Sequence, residues 1–149
     1  MTDDLVEFLR ARLDEQEARL HALPAGPWEW RRFDDVTDLG WRDCLMGQDG
    51  ISLLASAEGE GDQSWIKRHK AFDPYLQDIQ PARILADIEA KRAMLALHDD
   101  LDSGGHECPA RDSLGEFFTA YVTPSECPTL RLLALPYADH PDYREEWRP

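Results

Sequence analysis

Four side chains that can bind a metal ion border a single predicted loop. His98 lies at the predicted end of a long helix, His106 and Cys108 lie in the loop that follows, and Cys127 directly precedes another predicted helix. Zinc prefers about four nitrogen or sulfur ligands in a tetrahedron, which imidazoles and thiolates supply. These residues therefore allow a zinc ion to join the end of one helix to the start of the next across a loop of roughly thirty residues.

The spacing of these residues also allows an interpretation without a metal. One residue separates His106 from Cys108, whereas zinc knuckles usually carry Cys-x-x-Cys, and the sequence offers no second close pair. In that interpretation His98 is an imidazole at a helix end, His106 is an exposed loop residue, and Cys108 and Cys127 are half-buried thiols. The sequence leaves both interpretations open.

No pattern in the sequence predicts catalysis. It contains no phosphate-binding loop, dinucleotide fingerprint or nucleophile elbow. A cysteine nucleophile needs a histidine and an orienting group, and the spacing assigns neither. Asp139, His140 and Asp142 could build an acid–base or metal site, but Pro141 favours a turn with an exposed histidine. We therefore expect a protein that is not an enzyme, and we interpret Cys44, inside a predicted strand, as a small core residue.

Composition and charge narrow the class of protein. The chain has 149 residues, so we predict a single domain over 1–149. Three cysteines are an odd number, and the start of the sequence lacks the basic and apolar segments of a signal peptide, so we expect a cytoplasmic protein without disulfides. No apolar run is long enough for a membrane span. The net charge of −14 argues against direct binding of nucleic acid or anionic membrane, and it leaves a basic protein partner open.

The elements that must position the candidate ligands are predicted from periodicity and turn residues. Apolar residues at helical spacing predict a helix over 4–22, and alternation around an Asp-Gly turn predicts an antiparallel meander over 28–57. An acidic, flexible loop follows at 58–63. Pro81 starts a second long helix, which we expect to end near His98. Its predicted apolar stripe consists of Ile84, Leu85, Ile88, Leu95 and Leu97.

The last third of the chain is predicted to be a loop, a short element and a helix. We interpret residues 99–113 as a polar loop and residues 114–122 as a short strand or a helical turn. Pro128 starts a short helix that Pro136 ends. The aromatic residues that follow predict a tail anchored across the body: Tyr137, Tyr143 and Trp147. The fold class is α+β, with a long N-terminal helix, a short antiparallel β-meander, a long central helix and a short C-terminal helix with its aromatic-anchored tail.

Two segments of the sequence resemble a known family. The segment QPARILADIEAKR at 80–92 and the segment CPTLRLLALPYADHPDYREEWRP at 127–149 are similar to a family of small acidic proteins of unknown function from actinobacteria (Streptomyces-like hosts) and their phages. Members of that family carry His-x-x-x-x-Asp-Pro before the central helix, where this chain has Tyr75 and Gln80-Pro81. The resemblance implies a cytoplasmic location, and it supplies no catalytic residue.

Three functions follow from these observations. The first is a non-enzymatic accessory or protein-interaction module whose acidic surface binds an unidentified protein partner. The second is a small zinc-stabilised module, which is compatible with the first. The third is an acidic nucleic-acid mimic that inhibits a DNA-binding protein. The net charge of −14 permits such mimicry if the acidic residues are arrayed on one face.

Overall fold

The computed structural model describes four segments of the chain: 4–34, 41–57, 71–99 and 104–149. They belong to two compact units. The first combines Met1–Gln16 with Ile88–Pro149, and the second consists of Glu17–Asp87. The expectation of one domain over the whole chain stays a prediction, and the loop predicted at 58–63 lies outside the described segments.

The helices account for most of the regular structure. Those of the described segments are α1 (Asp4–His21), α2 (Phe72–Asp78), α3 (Pro81–His98) and α4 (Pro128–Ala134). No described helix is long and apolar enough to cross a membrane. The bounds predicted for the first and second long helices are confirmed within a residue. Pro81 and Pro128 both occupy the first turn of a helix, where the missing N–H has no intrahelical acceptor to lose.

The apolar stripe of α3 is confirmed with one exception. Ile88 and Leu95 are buried, but Leu97 is 79% exposed, so its assignment to the stripe was wrong. Two residues correspond to roughly 200° around an α-helix, which places Leu97 on the face opposite Leu95.

The predicted meander is confirmed as a three-stranded antiparallel sheet in the second unit. Its strands are β1 (Glu29–Asp34), β2 (Trp41–Met46) and β3 (Ser52–Ala57), in the order β1-β2-β3. The turn between β2 and β3 is the predicted Asp-Gly turn. Gly50 takes a positive φ of 79°, which favours glycine, and the Asp49 carboxylate accepts the N–H of Ile51 at 3.0 Å. Cys44 on β2 is buried, as predicted.

A small apolar core holds the second unit together. It consists of Leu20, Trp28, Leu45 and Leu76, with partly buried neighbours around them. The Gln80 side chain fixes the chain before β1, because its oxygen accepts the N–H of Trp28 at 2.8 Å and its NH₂ group donates to the Trp28 carbonyl at 2.9 Å. These two bonds satisfy backbone groups that no strand partner reaches.

A second hairpin corrects the prediction of a polar loop over 99–113. Residues His106–Arg111 form β4, which pairs with β5 (Phe117–Val122) in an antiparallel two-stranded sheet. The ambiguous segment at 114–122 is therefore a strand in its second part. The turn between them is set by Asp112, whose carboxylate accepts the N–H groups of Leu114 and Glu116 at 2.8 and 2.9 Å.

The core of the first unit joins α1, α3, α4 and the hairpin. Its buried members are Leu5, Val6, Phe8, Leu9, Leu95, Cys108, Cys127, Leu130, Ala134 and Trp147. The predicted aromatic tail is confirmed, because Phe8 contacts the rings of Tyr137, Tyr143 and Trp147 at centroid distances of 6.2, 6.0 and 5.1 Å. Trp147 is 3% exposed, so the end of the chain is anchored in this core.

Candidate metal centre

Three elements of the first unit bring the four predicted ligands together. His98 is the last residue of α3, His106 and Cys108 lie on β4, and Cys127 is the residue that caps the start of α4. Alternate residues of a strand point to the same face, so the single residue between His106 and Cys108 places both side chains on one side of β4. The spacing that looked poor for a zinc knuckle therefore suits a strand.

The four ligand atoms lie within 4.8 Å of one another. His98 Nδ1 is 3.0 Å from His106 Nε2 and 3.5 Å from the Cys127 sulfur, and the sulfurs of Cys127 and Cys108 are 3.6 Å apart. In a tetrahedron around zinc these edges are about 3.3 Å between nitrogens, about 3.5 Å between nitrogen and sulfur, and about 3.8 Å between sulfurs. These three distances are within a few tenths of an ångström of the zinc values, and the remaining ligand pairs lie within 4.8 Å, so the side chains can hold one metal ion after shifts of up to about 1 Å.

The two sides of this cluster differ in burial. Cys108 and Cys127 have no exposed surface, whereas His98 and His106 are half-buried. The imidazoles meet edge to face, with centroids 4.9 Å apart and an interplanar angle of 78°. His98 presents Nδ1 and His106 presents Nε2 to the centre of the cluster. The sulfurs therefore form the inner wall of the site, and the imidazoles face the surface.

The protonation states of the cluster follow from burial and neighbouring groups. Burial lowers the pKa of His98, and the charge of His106 lowers it further, so a neutral imidazole with a free lone pair is favoured at neutral pH. Burial raises the pKa of the Cys127 thiol, the backbone N–H of Leu130 lowers it, and Cys108 raises it. The Cys127 thiol thus holds its proton until a cation displaces it.

Neighbouring side chains fix the ligands in place. The Thr129 hydroxyl lies 3.6 Å from the Cys108 sulfur, close enough for a hydrogen bond to sulfur. Asp99, directly after His98, has a side chain that is 4% exposed and forms an ion pair with Arg10 on α1, which anchors the end of α3. Metal ligands are commonly oriented by such surrounding contacts.

The four ligand candidates sit in a chain whose family is recognised over its whole length. A family model described as a family of unknown function matches residues 2–149. The chain belongs to that family, DUF6221. The predicted resemblance to a family of unknown function is confirmed, while the actinobacterial and phage source stays a prediction. No curated protein and no solved structure matches this DUF6221 chain.

In this DUF6221 protein, His140, which the sequence groups with Asp139 and Asp142, makes contacts with α1. One ring nitrogen of His140 accepts a hydrogen bond from the Arg12 guanidinium, and the ring contacts Phe8 edge to face at a centroid distance of 5.8 Å. Arg12 also binds Glu15 at 2.8 Å, and Asp142 lies 3.9 Å from it. The histidine was predicted to be exposed in a turn, but its side chain is only 27% exposed because it covers the buried Arg12.

All four residues predicted as ligands thus belong to one cluster, and Cys44, on β2 of the second unit, is not a member of it. What the sequence did not indicate is the strand that carries His106 and Cys108, and therefore their shared direction. The period of two between them was the available signal, because it matches the side-chain period of a strand.

Proposed function

We propose that this protein binds one zinc ion through His98, His106, Cys108 and Cys127, and that the zinc is structural. The observation that supports this proposal most strongly is the packing of two imidazole nitrogens and two thiol sulfurs within 4.8 Å of one another. A tetrahedral set of two nitrogens and two sulfurs suits zinc, whereas calcium and magnesium prefer oxygen ligands.

The ligand set supports a structural role. Four protein ligands complete a tetrahedron, so no position is left for water or substrate, and catalytic zinc sites keep such a position open. The ion would join the end of α3, the strand β4 and the start of α4. This role accounts for two thiols that are wholly buried and that face each other and the His98 imidazole.

We also propose that the zinc-loaded protein acts as a non-enzymatic accessory or interaction module in the cytoplasm. The net charge of −14 supports a basic protein partner rather than nucleic acid or membrane. If the partner is a DNA-binding protein and the complex dissociates at high salt, the acidic-mimic alternative is favoured over other partner types.

The zinc proposal is tested by metal analysis of protein purified without added metal. We expect one zinc per chain by mass spectrometry of the metal, and a Co²⁺-substituted protein with the visible bands of a tetrahedral site bound to sulfur. Cys44→Ser is the matched control, since it removes a buried thiol outside the cluster and should keep the zinc. Cys127→Ser should lose it. Folded wild-type protein that takes up no stoichiometric zinc or Co²⁺ contradicts the proposal.

A further inference from the structure

Two sulfurs of the candidate metal centre lie close enough to each other for a disulfide to form. Cys108 and Cys127 lie 3.6 Å apart in the core, and both are wholly buried. A disulfide needs the sulfurs at about 2.05 Å, so closure requires an approach of roughly 1.5 Å. Rotations of the two side chains supply movements of this size, and the third cysteine, Cys44, lies on β2 of the other unit.

We propose that a peroxide oxidises Cys108 and Cys127 to a disulfide and thereby releases the metal ion. This inference rests on the proposed zinc site, because release presupposes a bound ion. The thiolates that hold the ion are the same groups that peroxide attacks.

The electrons and atoms of the reaction balance with hydrogen peroxide as the oxidant. One thiolate attacks a peroxide oxygen, the O–O bond breaks, and a sulfenic acid and a hydroxide form. The second thiolate attacks the sulfenic sulfur, so the S–S bond forms, the S–O bond breaks and a second hydroxide leaves. Two protons convert the hydroxides to water. The sulfur pair loses two electrons, the peroxide gains them, and zinc keeps its charge.

Loss of both thiolates leaves the zinc ion with only two imidazoles. Two neutral nitrogen ligands hold zinc far more weakly than four ligands that include two thiolates, so the ion dissociates. The disulfide joins β4 covalently to the start of α4, but His98 no longer shares a metal ion with these two elements. Oxidation therefore removes the metal-mediated link between the end of α3 and the other two elements.

The burial of the sulfurs selects the oxidant. The sulfurs have no exposed surface and the imidazoles of His98 and His106 beside them are half-buried, so a small neutral peroxide needs the least opening of the core to reach the pair. A bulky disulfide such as oxidised glutathione must place its own sulfur in line with a buried thiolate, which the packed core prevents. Peroxide should therefore release zinc at concentrations where oxidised glutathione does not.

The experiment uses the full-length protein, with its zinc content measured first. Hydrogen peroxide is added in the presence of a chromophoric zinc indicator, and the protein is then analysed by mass spectrometry without reduction. We expect release of one zinc per chain, a mass loss of about 2 Da from the two hydrogens, and a Cys108–Cys127 peptide. Reduction with dithiothreitol and added zinc should restore the starting state. The variant Cys44→Ser should respond like the wild type.

Each other outcome counts against a defined part of the inference. Absence of zinc before peroxide contradicts the proposed function, and the metal-free protein still reports whether the Cys108–Cys127 bond forms. Zinc that stays bound under peroxide, a disulfide that involves Cys44, or release accompanied by a mass gain of about 32 Da from sulfinic acid overturns the redox inference alone.

Discussion

Removal of the proposed zinc should lower the stability of the first unit, because the ion binds the folded chain and not the unfolded one. The outermost ligands, His98 and Cys127, are 29 positions apart, so the ion would hold together a segment that the unfolded chain leaves open. An ion at roughly 100 to 1,000 times its Kd stabilises the folded state by about 3–4 kcal/mol. For a chain of this length, such a loss corresponds to a fall in Tm of about 7–15 °C.

The assay compares thermal unfolding of zinc-loaded protein with protein stripped by a high-affinity chelator and freed of it by dialysis. Circular dichroism follows the helices, and metal analysis of the same samples confirms their zinc content. Restoring zinc to the stripped protein should recover the original Tm, which separates loss of metal from irreversible damage.

Matched cysteine variants show whether the fall in Tm on zinc removal comes from the candidate metal centre. Cys44→Ser removes a thiol that is 6% exposed and lies outside the cluster, so the difference in Tm between loaded and stripped protein should persist. Cys127→Ser should abolish that difference. Superimposable unfolding curves of loaded and stripped wild-type protein would refute the proposed stabilisation, since an ion that binds only the folded chain cannot leave without lowering its stability.

Three further predictions concern the pH dependence of the site and the two cores. Zinc affinity should rise by up to about 100-fold per pH unit below the thiol pKa, because zinc binding displaces two thiol protons. Burial raises the pKa of Cys127 and so extends this steep range to higher pH. Competition titrations with a chelating indicator at several pH values measure the zinc affinity. Leu130→Ala should lower the free energy of unfolding by about 2–5 kcal/mol because it opens a cavity at a fully buried position, whereas Leu132→Ala, at a position 59% exposed, should cost less than about 0.5 kcal/mol in the same urea titration. Gln80→Ala should cost roughly 2 kcal/mol in that titration, because it leaves the N–H and carbonyl of Trp28 without their side-chain partner.

The helices of this fold were predictable because their signals are local. Apolar residues recur along α1 at helical spacing, and prolines mark the first turns of α3 and α4. The turn of the meander was equally local, since Gly50 adopts the positive φ that an Asp-Gly turn requires. In each case the residues that determine the conformation are the residues that adopt it.

The second hairpin was missed because β5 shows no alternation of apolar and polar residues and β4 contains a proline. β5 is exposed or half-buried along its whole length, with Phe117 at 71% and Tyr121 at 65% exposure, so no contrast between a core face and a solvent face appears in the sequence. β4 contains Pro109, which argues against a strand in a central position and is tolerated here in a sheet of two strands. Each of these two strands is stabilised by hydrogen bonds to the other, and the residue pattern within one strand does not show that pairing.

The candidate ligands were identified by residue type, whereas their geometry depended on the missed strand. A loop offers no reason for His106 and Cys108 to point the same way, and a strand gives one directly. Sequence reasoning therefore named the four residues and left the metal-free interpretation open. The observed burial weighs against that interpretation for the sulfurs, because half-buried thiols were expected and both are wholly buried.

A single ion accounts for features of this cluster that otherwise need separate explanations. Without a metal, the 3.0 Å contact between the two imidazoles requires a proton between His98 Nδ1 and His106 Nε2, and the two thiols face each other as weak hydrogen-bonding groups in the core. With a metal, both nitrogens direct lone pairs to one centre, and the thiolates supply the charge that offsets the cation. The same topology explains why the site lies where it does. The end of α3 is followed in the chain by β4, and only β5 and a short 3-10 helix separate β4 from the start of α4, so one ion at the point where these three elements meet would constrain all of them.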